Sequence, residues 1–111
     1  MSSRISFENG NMTVYLSGEI DHHAAKKARE IIDSLIQQKK PSELRMDFSA
    51  VSFMDSSGIG LIMGRYRMMM LYGGTVRITH VPEGLDRMME LSGLGALDII
   101  EKKGELYESA K

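Results

Sequence analysis

The chain has 111 residues, 42% apolar and 26% charged, with 14 basic against 15 acidic side chains and a formal net charge of −1. Such a length and balance suit one ordinary globular domain. They exclude the basic footprint of a nucleic-acid binder and the polybasic block that meets an anionic membrane. No apolar run nears the roughly 20 residues of a spanning helix, and the opening "MSSRISFENG" lacks the regions of a signal peptide. Without cysteine there is neither disulfide nor thiolate site, which fits a reducing, cytoplasmic setting. The ten methionines read first as flexible core filler and second as an adaptable contact surface.

Met12 to Ser17 alternates apolar Met12, Val14 and Leu16 with Thr13, Tyr15 and Ser17, the pattern of a half-buried strand. Ile5 to Glu8 is its expected hairpin partner across "NGN", because Asn-Gly favours a tight turn. From Asp21 the period becomes helical. Ala24, Ala25, Ala28, Ile31, Ile32, Leu35 and Ile36 recur on one face, with Asp21 as N-cap and Pro41 closing the segment. Leu44, Met46 and Phe48 alternate in a second main strand that runs into "FMDSSGIGLIMGRY".

There Ser56, Ser57 and Gly58 open a helix to about Leu71, ended by Gly73 and Gly74. Thr75 to Thr79 is the next strand. Pro82 and Glu83 open a short helix with Leu85, Met88 and Met89 inward, and Gly93 and Gly95 break it. Leu97 to Glu101 is expected to be a last strand, and the tail "KKGELYESAK" gives no clear signal. Strands alternating with helices imply crossover connections and a partly parallel sheet. The expectation is a single α/β domain with its core at about residues 5–101.

The segment "DSSGIG" carries the chemistry. A helix start leaves four N–H groups without partners and a partial positive charge, which suits a capping oxygen or an anion. Capping alone explains a serine or aspartate there, but one oxygen suffices and Asp55, Ser56 and Ser57 supply three. A phosphate on Ser56 would add roughly −1.5 to −2 charge beside those donors and against Asp55. Gly58, Gly60 and Gly64 each cost a helix about 1 kcal/mol relative to alanine, so their spacing hints at close approach by something.

Ile59, Ile62, Met63, Tyr66, Met69 and Met70 form one apolar helix face. Leu61 and Met68 fall outside it, on a stripe with Gly64, Arg65 and Tyr72, which makes that stripe the expected partner surface. Glu19, Asp21, Asp55, Ser56 and Ser57 leave the carboxyl ends of neighbouring strands and should share one sheet edge.

Other chemistry finds less support. His22 and His23 are adjacent and point apart on a helix, and His80 stands alone, so zinc-ligand spacing is missing. "DSSGIG" is not a Gly-x-Ser-x-Gly elbow, and no Gly-x-x-x-x-Gly-Lys-Ser/Thr loop occurs. A small nucleotide-binding protein using the glycine-rich helix start is the alternative.

"SGEIDHHAA", "MDFSAVSFMDSSGIGLIMGRY", "YGGTVRI" and "MMELSGLGALDII", in this order and spacing, resemble the STAS domain of bacterial anti-sigma factor antagonists. The resemblance implies a mixed, mostly parallel four- or five-stranded sheet with about four helices, no catalytic activity and no cofactor. It also implies a phospho-switched binding protein in sporulation transcription. Its partners would be an anti-sigma factor that is itself a serine kinase, of the anti-sigma-F type and ATP- or ADP-bound, and a PP2C-type phosphatase.

Residue by residue, the resemblance places the phosphoacceptor at Ser56 and makes Ser57 the helix cap. It puts partner contacts at Asp21 and Asp55. With the expected rim and stripe, the candidate contact set becomes Glu19, Asp21, His22, Asp55, Ser57, Gly58, Leu61, Gly64, Arg65 and Met68.

Overall fold

The computed structural model describes residues 2–101; the tail from 102 to 111 lies outside the described residues. In chain order the elements are β1 (Ser2–Glu8), β2 (Asn11–Ile20), α1 (His22–Lys39), β3 (Glu43–Met54), α2 (Ser56–Leu71), β4 (Thr75–Thr79) and α3 (Glu83–Leu91). A 3-10 turn follows at Leu94–Leu97.

The sheet order is β1-β2-β3-β4. β1 and β2 form an antiparallel hairpin with Glu8 opposite Asn11. Asn9 and Gly10 both take positive φ, 51° and 81°, as the two-residue turn that matches strand twist requires. β2 and β3 are parallel, as are β3 and β4. Each parallel pair is bridged by a helix, and right-handed crossovers running one way along the sheet place both helices on one face. Accordingly α1 and α2 pack against each other as well as against the strands.

The core fills the space beneath them. Met12, Val14 and Leu16 of β2, Leu44, Met46 and Phe48 of β3, and Ile78 of β4 point inward, meeting Ala28, Ile32 and Ile36 of α1 and Ile62 and Met69 of α2. The other face is polar: Arg4 lies 4.4 Å over the Tyr15 ring, and Tyr15 pairs in register with Asp47.

Three expectations change. β2 continues past Ser17 to Ile20 because Gly18, at φ 80°, accommodates the register shift between Gly18 and Glu19. β1 begins at Ser2, ahead of Ile5. The expected last strand shrinks to one parallel bridge, Ile78 to Ile100. Leu97 is used in the 3-10 turn, and Asp98 turns left-handed at φ 56°, so extended backbone starts only at Ile99. Among the described residues the mixed sheet therefore has four strands, with three α-helices and the 3-10 turn, as expected of the STAS-like α/β fold.

Candidate functional site

The site grows from one register pair. Ile20 of β2 lies beside Met54 of β3, and each is followed by an aspartate that caps a helix. Asp21 accepts a hydrogen bond from the Ala24 N–H at 2.9 Å, and Asp55 accepts one from the Ser57 N–H at 2.8 Å. The Asp55 N–H in turn donates to the Ile20 carbonyl at 3.2 Å, lashing the two turns together. The Ala24 amide holds the Asp21 carboxyl below its ordinary pKa; desolvation opposes this and the charge of His23 assists it. Exposed Glu19, Asp21 and His22 stand at the same edge as half-buried Asp55 and Ser57 and exposed Ser56, so the expected rim forms.

Asp55, not Ser57, is the N-cap of α2. A carboxylate two residues earlier, on extended backbone at φ −99° and ψ −170°, reaches the Ser57 amide, so neither serine hydroxyl is required for the cap. The two hydroxyl-bearing residues part ways. Ser56 lines a groove of about 550 Å³ between the start of α2 and α3, with Ile59, Arg87, Met88, Leu91 and Ser92. Ser57 lines a different groove of about 450 Å³ between α1 and α2, with His22, Lys26, Arg29 and Gly60.

The expected partner stripe is overturned in part. Leu61 is 3% exposed and Arg65 6% exposed, while Gly64 and Met68 are half-buried. Helix α2 has two covered sides, one on the sheet and one on α1, and this stripe faces α1. Arg65 Nε stands 2.8 Å from Asp33 Oδ1 across the helix seam. The groups are close but poorly aimed: Asp33 Oδ1 and Arg65 Nε and Nη1 are buried without a well-directed hydrogen bond. Burial pushes the Arg65 pKa down, Asp33 opposes that, and nearby Arg29 adds to it. Gly58 is likewise buried, because a Cβ there would overlap the Met54 side chain. It is a packing glycine.

An apolar surface beside Ser56 does exist, on the other flank. Leu91 is 76% exposed and lines the same groove as Ser56. Met88, expected inward, is half-buried and lines the α2–α3 groove. Arg87, Met88 and Leu91 were not legible as neighbours of Ser56. The available signal was Leu91 three residues after Met88, a wet-side leucine on a short helix.

Other candidate chemistry thins further. The His22 and His23 rings meet edge to face at 6.0 Å, and among the described residues no cluster of three ligating side chains could hold a metal. His80 is not alone: its Nδ1 lies 3.0 Å from Asp47 Oδ2. The nucleotide alternative finds no support, since the Asp55 carboxylate already takes the Ser57 amide and Gly58 is packed on Met54. Among the described residues no helix is long and apolar enough to cross a membrane.

Known proteins share this arrangement. The STAS domain model matches residues 3–109. An anti-sigma F factor antagonist of Paenibacillus polymyxa is 35% identical over 96 residues, covering 85% of this chain and 82% of that protein. The structure of the anti-sigma factor antagonist SpoIIAA in its unphosphorylated form superposes with a TM-score of 0.81 at 27% identity, over 98% of this chain and 96% of that one. The phosphorylated form of the Bacillus cell fate determinant SpoIIAA gives 0.74 at 26% identity, over 99% and 100%. With this fold, these paired caps and these relatives, the chain belongs to the STAS domain family of anti-sigma factor antagonists.

Proposed function

We propose that this chain is a cytoplasmic, non-catalytic antagonist that binds an anti-sigma factor and thereby frees a sigma factor, and that phosphorylation of Ser56 ends the binding. One observation carries the reading. Ser56 is exposed on the wall of an apolar groove, while the capping duty at that helix start belongs to Asp55. Esterification would not remove the cap. It would set roughly two negative charges on the margin of Ile59, Met88 and Leu91, next to the Asp55 carboxylate. A partner that buries those apolar side chains would then have to desolvate the phosphate, whose roughly two negative charges the single cation of Arg87 on the same groove offsets only in part, at a cost of up to several kcal/mol.

The phosphoryl group would come from ATP on the anti-sigma factor acting as serine kinase, and a PP2C-type phosphatase would reset the switch. Glu19, Asp21, His22 and Asp55 would complete the contact rim, with sporulation as the expected setting. The relative and the unphosphorylated SpoIIAA structure, both named as antagonists, and the structure of SpoIIAA in a phosphorylated form support this reading.

The test is incubation with the purified anti-sigma factor, ATP and Mg²⁺, followed by peptide mass spectrometry and a pull-down. Phosphate on Ser56 and loss of the complex are expected. Modification confined to Ser57, or none, would overturn the assignment.

A further inference from the structure

The two serines at the start of α2 look into different grooves, and the second groove has its own chemistry. Between α1 and α2, Ala25 and Leu61 form an apolar floor. Gly60 leaves it open, with no atom within 4 Å of where its Cβ would be. His22, Lys26 and Arg29 line the same groove, and all three are exposed.

No ion pair among the described residues neutralises Lys26 or Arg29. Two acids of the adjoining turns are engaged as caps, Asp21 with the Ala24 amide and Asp55 with the Ser57 amide. Asp33, the acid deeper in the same seam, is taken by Arg65. Arg29 and Arg65 also lie close enough to repel. An isolated fold gains nothing from such an unbalanced cluster, whereas a docked carboxylate would relieve it.

We propose that the groove between α1 and α2, walled by His22, Lys26 and Arg29, receives an acidic segment of the anti-sigma factor. The segment's carboxylates meet Lys26 and Arg29 while an apolar side chain rests over Ala25, Gly60 and Leu61. An open trough with an apolar floor, lined by no Phe, Tyr or Trp and by a single exposed imidazole at its mouth, favours a peptide over a nucleotide. This inference rests on the antagonist reading but concerns a different surface from Ser56. The α2–α3 groove would report phosphorylation, and the α1–α2 groove would steer encounter through charge.

The experiment is surface plasmon resonance with the purified anti-sigma factor of the same organism, at about 50 and 200 mM salt. The variant is Lys26→Glu/Arg29→Glu. The control is Lys27→Glu/Arg67→Glu, which makes the same charge change at exposed positions outside the groove. The groove variant should lose about tenfold or more in affinity, chiefly in association rate, and should show a flatter salt dependence. The control should stay within about twofold. A neutral variant, Gly60→Ala, should weaken binding by filling the trough while raising the unfolding temperature. Equal losses in both double variants, or none in either, overturn the groove alone. Failure of the wild-type protein to bind overturns the antagonist reading and this inference together.

Discussion

Asp55 donates its backbone N–H to the carbonyl of Ile20 at 3.2 Å while its side chain caps α2. The turn that carries Ser56 is thereby fastened to the turn that carries Asp21. Both turns leave the same sheet edge, so charge placed on one is felt at the other. The hydroxyls of Ser56 and Ser57 stay available because a single carboxylate, seated between strand and helix, performs the local structural task.

The cap makes a separable prediction. Asp55→Ala should destabilise the protein by about 1 kcal/mol through loss of the Ser57 amide partner, and Asp55→Asn should recover most of it. Urea unfolding monitored by far-UV circular dichroism checks both. If neither substitution moves the midpoint, the cap is energetically idle.

Gly58 and Gly64 should respond with opposite signs. A methyl at Gly58 meets the Met54 side chain, whereas a methyl at Gly64 meets nothing within 4 Å. Gly58→Ala should cost about 1–3 kcal/mol, less if Met54 can swing aside. Gly64→Ala should gain up to about 1 kcal/mol from helix propensity. Thermal melts of the two variants decide it.

The helix seam yields a third expectation. Removing Asp33 leaves the buried Arg65 guanidinium uncompensated. Asp33→Ala should therefore destabilise more than Arg65→Met, which replaces the cation with a flexible apolar chain. Asp33 is 31% exposed in its side chain, so its loss should fall at or below about 3 kcal/mol. Denaturant midpoints rank the pair, and the reverse order would refute the seam's electrostatics.

Acid should find the Asp21 cap. The Ala24 amide holds its carboxyl below the ordinary carboxylate pKa. A carboxyl depressed in the folded state adds stability above its unfolded pKa and loses it as pH falls through the folded one. The wild type should therefore lose stability faster than Asp21→Asn below about pH 4. Denaturant midpoints between about pH 2 and 6 measure it: the gap between the two proteins should be constant above about pH 5 and should move against the wild type as pH falls below that.

Much of the fold was legible because its signals are local. Period-two alternation gave Met12 to Ser17 and Leu44 to Phe48. Asp21 and Pro41 bracketed α1, and Thr75–Thr79 matched its strand residue for residue. The common edge of Asp21 and Asp55 followed from parallel topology alone. What failed depended on neighbours that a single helix pattern cannot reveal. Leu61 and Arg65 read as wet because α2 was judged against the sheet only, and α1 covers that second side. Ser57 read as the cap because the carboxylate before it was counted as a third acceptor rather than the first. The residues 97–101 read as a strand because the left-handed turn at Asp98 leaves no pattern in apolar spacing. Arg87, Met88 and Leu91 acquire meaning only when α3 folds back beside Ser56.

The most direct measurement is the affinity of the purified anti-sigma factor for unmodified protein and for protein phosphorylated stoichiometrically on Ser56. The modified form should bind about a hundredfold more weakly, near 2.8 kcal/mol, with an unchanged far-UV spectrum and melting temperature. Equal affinity of the two forms, or weakening that comes only with loss of folded structure, would contradict a switch built on charge at the groove's edge.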